Sequence, residues 1–218
     1  MFSDESHSAR QIRPFVVRAH YIYVRGSRKD TKMQPNSDSL TKSSLEGVGF
    51  TGFSTIRELQ ATTIRKPELS KRGLYVVVCQ EDYKPDFIDL EKVRRNRNVI
   101  KPWSQNKLLK KWVPETEILY LDRAGDDKKQ CGLRRRITDL VRHSQGKTTD
   151  QGPHIGGELL WQLRGYENFE LGYFPTDKPE EFERILLAWF YSKTGRVPYA
   201  NRMPRTLLKE IQSASGAL

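Results

Sequence analysis

The chain is poor in cysteine. Two of its 218 residues are Cys, Cys79 and Cys131, too few for a disulfide framework or a four-cysteine zinc site. A reducing, cytoplasmic compartment is the simplest expectation. Long apolar stretches are also missing. The longest unbroken run, Ile185 to Tyr191, has seven residues, against roughly 20 for a helix that crosses a bilayer. Met1 to Arg13 is polar and lacks the apolar core of a secretory signal. Acidic residues are in deficit: 27 Asp and Glu stand against 38 Lys and Arg, for a formal charge of +11. Apolar residues make up 36 %, lean but enough for one core.

The excess positive charge is concentrated. Glu91 to Lys111 holds eight cations (Lys92, Arg94, Arg95, Arg97, Lys101, Lys107, Lys110, Lys111) and one acid. Lys128 to Lys147 holds seven (Lys128, Lys129, Arg134, Arg135, Arg136, Arg142, Lys147) and one acid. These stretches carry +7 and +6, more than the whole net charge. Clustering of this kind suits contact with a phosphate backbone better than general solubility. Neither stretch has the broad apolar face that burial in lipid requires, which argues against a membrane surface.

Pattern along the chain predicts a strand in Pro14–Gly26 and a Ser/Thr/Asn/Lys-rich loop over Ser27–Ser44. Gly49–Leu59 reads as a turn and short helix. Gly73–Cys79 is a valine-rich apolar run of strand length, and Glu117–Leu121 is a second strand. Gln80–Pro114 between them is a polar, basic excursion. Leu133–Ser144 is helical, with Leu133, Ile137, Leu140 and Val141 as its apolar stripe. Ser144–Pro153 reads as a loop, Gly157–Leu163 as a short helix and Asn168–Phe174 as a third strand. Lys178–Ser192 is a helix with Pro179 near its start, acids in its first turn and Gly195 after its end. Pro204–Ser213 is a terminal helix candidate. The expected class is α/β or α+β, with a small, mainly antiparallel three-stranded sheet flanked by helices.

Phosphodiester hydrolysis requires an activated water, balanced charge on the phosphoryl oxygens and a neutralised leaving oxygen. Candidates for each stand near the ends of the expected elements. At ~100° per residue, Arg136 falls at the edge of its helix's apolar stripe, from where its fork can lean over the sheet toward a phosphate. The plainer reading is a surface cation. Glu183 borders the apolar face of the last long helix. A carboxylate there can hold a hard divalent cation, with waters and a substrate phosphate as the other ligands; the alternative is a solvated helix acid. Tyr75 and Tyr120 lie within the first two core strands. Either can be plain core, and a base role needs neighbouring cations to depress the phenol pKa.

Taken together these residues resemble the GIY-YIG nuclease superfamily, in its bacterial restriction-endonuclease-like branch. Gly73-Leu74-Tyr75 and Tyr120-Leu121-Asp122 stand for the two half-motifs. Arg123-Ala124-Gly125, then Leu133-Arg134-Arg135-Arg136, follow the second. His154-Ile155-Gly156-Gly157 and Trp161-Gln162-Leu163 are similar to a His-x-Gly-Gly and Trp-Gln-Leu stretch. Glu183-Arg184-Ile185-Leu186-Leu187 corresponds to the metal-binding helix, and Gly195-Arg196-Val197-Pro198-Tyr199-Ala200-Asn201 to the close.

The resemblance implies a metal-dependent DNA endonuclease. Tyr75 would act as general base or orient the attacking water, and Tyr120 would support the nucleophile or the scissile phosphate. Arg136 would balance phosphoryl charge, Glu183 would hold one Mg2+ (Mn2+ as a substitute), and Asn201 would fix local geometry. His154 would assist proton transfer or bind phosphate, or is simply a loop residue; His143 is a substitute for it. Three departures stand out. Asp122 replaces a glycine, Arg123 replaces a lysine, and the two tyrosines are 45 positions apart, with the basic insertion 80–114 between them. The expected division is an N-terminal extension over 1–70 for recognition or dimerisation, a nuclease core over 71–203 and a C-terminal tail over 204–218. Lys92, Arg94, Arg95, Arg97, Lys101, Arg123, Arg134 and Arg135 are the expected DNA contacts. Duplex DNA is the expected partner, in a restriction- or defence-like setting, with a homodimer to cut both strands. The alternative is a nucleic-acid-binding protein whose nuclease core is degenerate at Asp122.

Overall fold

The computed structural model describes residues 39–62, 66–88, 103–125, 132–145, 155–205 and 208–209. The expected strand at Pro14–Gly26, the cations Lys92, Arg94, Arg95, Arg97 and Lys101, His154 and most of the expected terminal helix lie outside these residues.

Local chemistry sets the element ends. Helix α1 (Lys42–Val48) starts at Thr41, whose hydroxyl accepts from the Ser44 N–H, and stops at Gly49, whose φ of 112° is left-handed. Strand β1 (Thr51–Thr55) runs directly into helix α2 (Ile56–Ala61). Thr55 and Glu58 close a reciprocal capping box there, so a single threonine ends the strand and opens the helix. Strand β2 is Gly73–Val78, helix α3 Gln105–Lys111, strand β3 Ile118–Ala124 and helix α4 Leu133–Ser144. Helix α5 (Ile155–Leu160) and strand β4 (Glu170–Pro175) follow. Helix α6 (Pro179–Thr194) has Pro179 at its start, Glu180 and Glu181 in its first turn and Gly195 as its left-handed cap.

The sheet is antiparallel with order β1-β4-β2-β3. The fold is therefore α+β, as expected, but the sheet has four strands rather than three. Strand β1 escapes pattern reading because its one large apolar residue, Phe53, sits beside Gly52 and shows no alternation. It exists because β4 pairs with it from far along the chain. Residues 39–62 and 66–70, assigned from sequence to an N-terminal extension, belong to this sheet and its core: Leu45, Phe50, Ile56 and Leu69 are buried. Two further corrections are small. Helix α1 begins within the stretch expected to be loop, and α3 lies within the excursion expected to lack periodicity.

All six residues of β2 are buried because both faces of the sheet are covered. On one face Tyr75 and Val77, with Leu171 and Tyr173 of β4, join Ile56, Ile137, Leu140, Val141 and Leu159 in one cluster. Burying a side chain such as Ile137 stabilises by about 1.5–3 kcal/mol. The opposite face carries Leu74 and Val76. There α6 packs on β2 and β3 through its buried residues Phe182, Leu186, Leu187 and Phe190. Among the described residues, no helix is long and apolar enough to cross a membrane.

Cys79 follows β2 as a buried free thiol, and burial pushes its pKa up to about 12. Thiolate is the reactive form, so Cys79 is expected to be inert in the native chain. With Cys131 replaced by serine, a thiol-reactive dye at pH 8 should label Cys79 only on unfolding. Full labelling of the native chain within minutes would contradict that burial.

Candidate active site

Antiparallel register brings the central groups together. Tyr75 of β2 pairs with Asp122 of β3 on one side and Tyr173 of β4 on the other. Tyr120 lies two residues before Asp122, so strand alternation puts both on the same face. Helix α4 covers that face, and the buried Leu133 and Ile137 anchor its first turns. Arg136 lies between these anchors in sequence and leans over the sheet.

Tyr75, Tyr120 and Arg136 meet at one atom of Asp122. Asp122 Oδ2 accepts hydrogen bonds from Tyr75 Oη at 2.5 Å, Tyr120 Oη at 2.8 Å and Arg136 Nη2 at 2.7 Å. Asp122 Oδ1 accepts from the Arg123 N–H at 2.8 Å. The two phenol rings meet edge-on, with centroids 6.0 Å apart. Burial first, then the Asp122 charge, push both phenols well above their ordinary pKa; Arg136 works against this but is outweighed. The net shift is thus upward, opposite to the one that a phenolate base requires. Both tyrosines stay protonated at neutral pH and act as donors.

Strand β3 is an edge strand, and the site wraps around it. The next residue, Arg123, points to the opposite face, toward α6. Its Nε lies 3.1 Å from Glu183 Oε2 and its Nη1 3.0 Å from Glu180 Oε2. Burial, then the Asp122 charge, push the Glu183 carboxyl up to about 7, while Arg123 pulls it down. Arg136 also acts on Glu183 electrostatically. Groups from the two faces thus share one electrostatic environment at the end of β3.

The remaining motif residues build the frame. Asn201 is buried and bonds the backbone of β3 on the side away from β2. Its Nδ2 donates to the Leu121 carbonyl at 2.6 Å, and its Oδ1 accepts from the Leu121 N–H at 3.0 Å. Leu121 is the residue between Tyr120 and Asp122, so this amide pins the strand at its functional point. Gly156 makes room for Tyr120: a Cβ there would stand 2.2 Å from the phenol ring. Gly157 does the same for His143, which is 1 % exposed and packed inward rather than at the opening. Arg134 and Arg135 lie on the exposed side of α4, and the Arg134 fork donates to the Lys66 carbonyl.

Gln162 was not singled out from sequence as a functional residue, yet it is fully buried and bonds Ile88 and Trp103, two residues of the basic insertion 80–114. Its backbone carbonyl accepts from the Ile88 N–H, and its Oε1 accepts from the Trp103 N–H, both at 2.9 Å. Its Nε2 donates to the Glu158 carbonyl at 2.7 Å. Ile88 and Trp103, the described residues on either side of 89–102, are thus both tied to one buried residue. The only sequence signal was a polar residue inside the Trp161–Leu163 triplet.

Among the described residues no group of three or more His, Cys, Asp and Glu side chains is placed to hold a metal. Glu183 offers one carboxylate, one-fifth exposed, whose burial a cation would relieve and which Arg123 now serves. That donor set fits a cation which keeps most of its waters, as Mg2+ does. No family model, curated protein or solved structure matches the chain.

Proposed function

We propose that the chain is a metal-dependent endonuclease that hydrolyses phosphodiester bonds in duplex DNA, with a GIY-YIG-like core and a restriction- or defence-like role. The observation that carries this reading is the convergence of two phenol hydroxyls and a guanidinium, from three separate elements, on one anionic oxygen beside Glu183. Donors preorganised around a single anionic point are what a phosphoryl group needs when charge builds on its oxygens. Arg136 balances that charge, and Tyr75 and Tyr120 orient oxygens through their O–H groups. Arg123 supplies a second cation at the same strand end. Glu183 would hold Mg2+, or Mn2+ in its place; when bound, the cation neutralises the leaving oxygen. The cut in the second strand calls for a second copy of the chain or a second visit.

Incubation with supercoiled plasmid tests the reading. Nicking or linearisation in Mg2+, absent in EDTA and lost in Tyr75→Phe and Glu183→Ala, is expected. DNA binding without cutting in both Mg2+ and Mn2+ would overturn it in favour of a binding protein with a silent core. That alternative draws support from the carboxylate of Asp122, which fills the donor cluster.

The cations of the basic insertion would grip the DNA backbone. Neutralising Lys92, Arg94, Arg95 and Arg97 together should flatten the dependence of log affinity on log salt by about 3–4, at about 0.9 per lost phosphate contact. An unchanged slope across a salt titration would remove the segment from the interface.

A further inference from the structure

Two hydroxyls and a guanidinium that point at one oxygen form a receptor for an anion, and their geometry does not distinguish a carboxylate oxygen from a phosphoryl oxygen. Here the chain supplies that anion itself. The hydroxyls are sealed behind it: Tyr75 is 0 % and Tyr120 6 % exposed. The side chains that reach solvent are Asp122, at 18 %, and Arg136, at 34 %. An anion arriving from solution therefore meets the Asp122 carboxylate before it can reach either phenol. With that carboxylate in place, a phosphate beside it would set two anions against one guanidinium, an arrangement opposed by like-charge repulsion.

We propose that Asp122 is a built-in occupant of the oxyanion site formed by Tyr75, Tyr120 and Arg136, so that a substrate phosphoryl oxygen engages these donors only by displacing its carboxylate. This rests on the hydrolase reading above and sharpens it: the resting chain is self-blocked. The phenols and Arg136 are held in binding-ready positions by a surrogate ligand. Their affinity for an isolated phosphate is low, and a duplex held at several other points is needed to drive the exchange. Substitution of Asp122 then removes a competitor.

Inorganic phosphate, titrated by calorimetry at fixed ionic strength, is the probe, with plasmid nicking in Mg2+ as a second readout. Asp122→Gly is expected to bind phosphate about tenfold or more tighter than the native chain, since a competing charge is removed from the donor set. Asp122→Asn, which keeps the side-chain shape within β3, should fall between the two. The gain should vanish when Arg136→Ala is added to Asp122→Gly. Glu181→Gln, which removes one negative charge away from the cluster, should behave as the native chain does. No gain in either Asp122 variant, or an equal gain in Glu181→Gln, would overturn the proposal. If the glycine variant does not fold, the asparagine variant decides alone, by the same criterion. Tighter phosphate binding without nicking by any form supports the blocked site and removes the hydrolase reading. Nicking by the native chain with no phosphate gain in the variants does the reverse.

Discussion

Glu183→Gln is expected to lower Mg2+-dependent plasmid nicking about a thousandfold or more. The amide keeps the size and packing of the side chain but loses the charge that would hold a cation. A bound metal contributes several kcal/mol of charge stabilisation in the transition state, and each 1.36 kcal/mol is tenfold in rate. The same variant separates chemistry from stability. The Glu183 carboxyl sits at about 7 in the folded chain against 4.5 as its ordinary value, with burial as the first cause and the Asp122 charge as the second. An acid whose folded pKa is raised keeps its proton in the native state over a range where the unfolded chain has lost it. Its contribution to stability therefore declines as pH rises from about 4.5 to about 7, and the penalty is complete above that. Glutamine carries no such penalty. In EDTA, the Tm of the native chain should fall relative to Glu183→Gln between pH 5 and pH 8. A Tm difference that ignores pH would mean that the carboxylate is not held in a desolvated place. Arg123 keeps Glu180 as a partner in the variant, so the pairing at the end of β3 is not wholly lost.

Asn201→Ala is expected to be the most damaging change for the fold. Its amide makes paired hydrogen bonds to both backbone groups of Leu121, a residue 2 % exposed. Alanine leaves a buried N–H and a buried carbonyl without these partners, at about 1–3 kcal/mol each. A total loss of about 2–6 kcal/mol corresponds to a fall in Tm of about 4–24 °C for a chain of this size. Nicking should fall as well, because Leu121 lies between Tyr120 and Asp122 and loses both of the bonds that this amide makes to its backbone. An unchanged Tm would show that the edge of β3 is held by other means. The adjacent backbone bond, from the Ala200 N–H to the Leu119 carbonyl at 2.8 Å, is expected to survive, which keeps the effect local.

These residues also show how the sequence and the tertiary structure divide the information. Helix α4 was legible to the residue over Leu133–Ser144, because a stripe of Leu133, Ile137, Leu140 and Val141 has one period and one meaning. Strand β2 was legible as a valine-rich run, since a strand buried on both faces has no polar side to show. Helix α6 carried its start and stop in Pro179 and Gly195. Strand β1 was not legible, because Thr51–Thr55 has little apolar content and depends on β4 for its hydrogen bonds. The boundary drawn at residue 70 cuts across this sheet for the same reason: the pairing of β1 with β4 is not written in either part alone.

At the site the division is sharper. Strand placement and helix phase were enough to raise Tyr75, Tyr120, Arg136 and Glu183 as candidates, because they depend only on near neighbours; Asn201 and the roles of the set came from the resemblance of the ordered motifs to the GIY-YIG superfamily. The meaning of Asp122 was not available at that level. From sequence it was a departure from a glycine, and in the alternative reading the mark of a degenerate core. Register across two strands, together with the lean of a helix over them, put three donors on one of its oxygens. The direction of the phenol pKa shifts was likewise set by burial beneath α4 and by that carboxylate. The sequence by itself determined which groups are present and how each is phased on its own element. Only the tertiary structure decided which of them meet, because hydrogen bonds and charges act over a few ångströms of space, and the chain brings distant residues that close only when it folds.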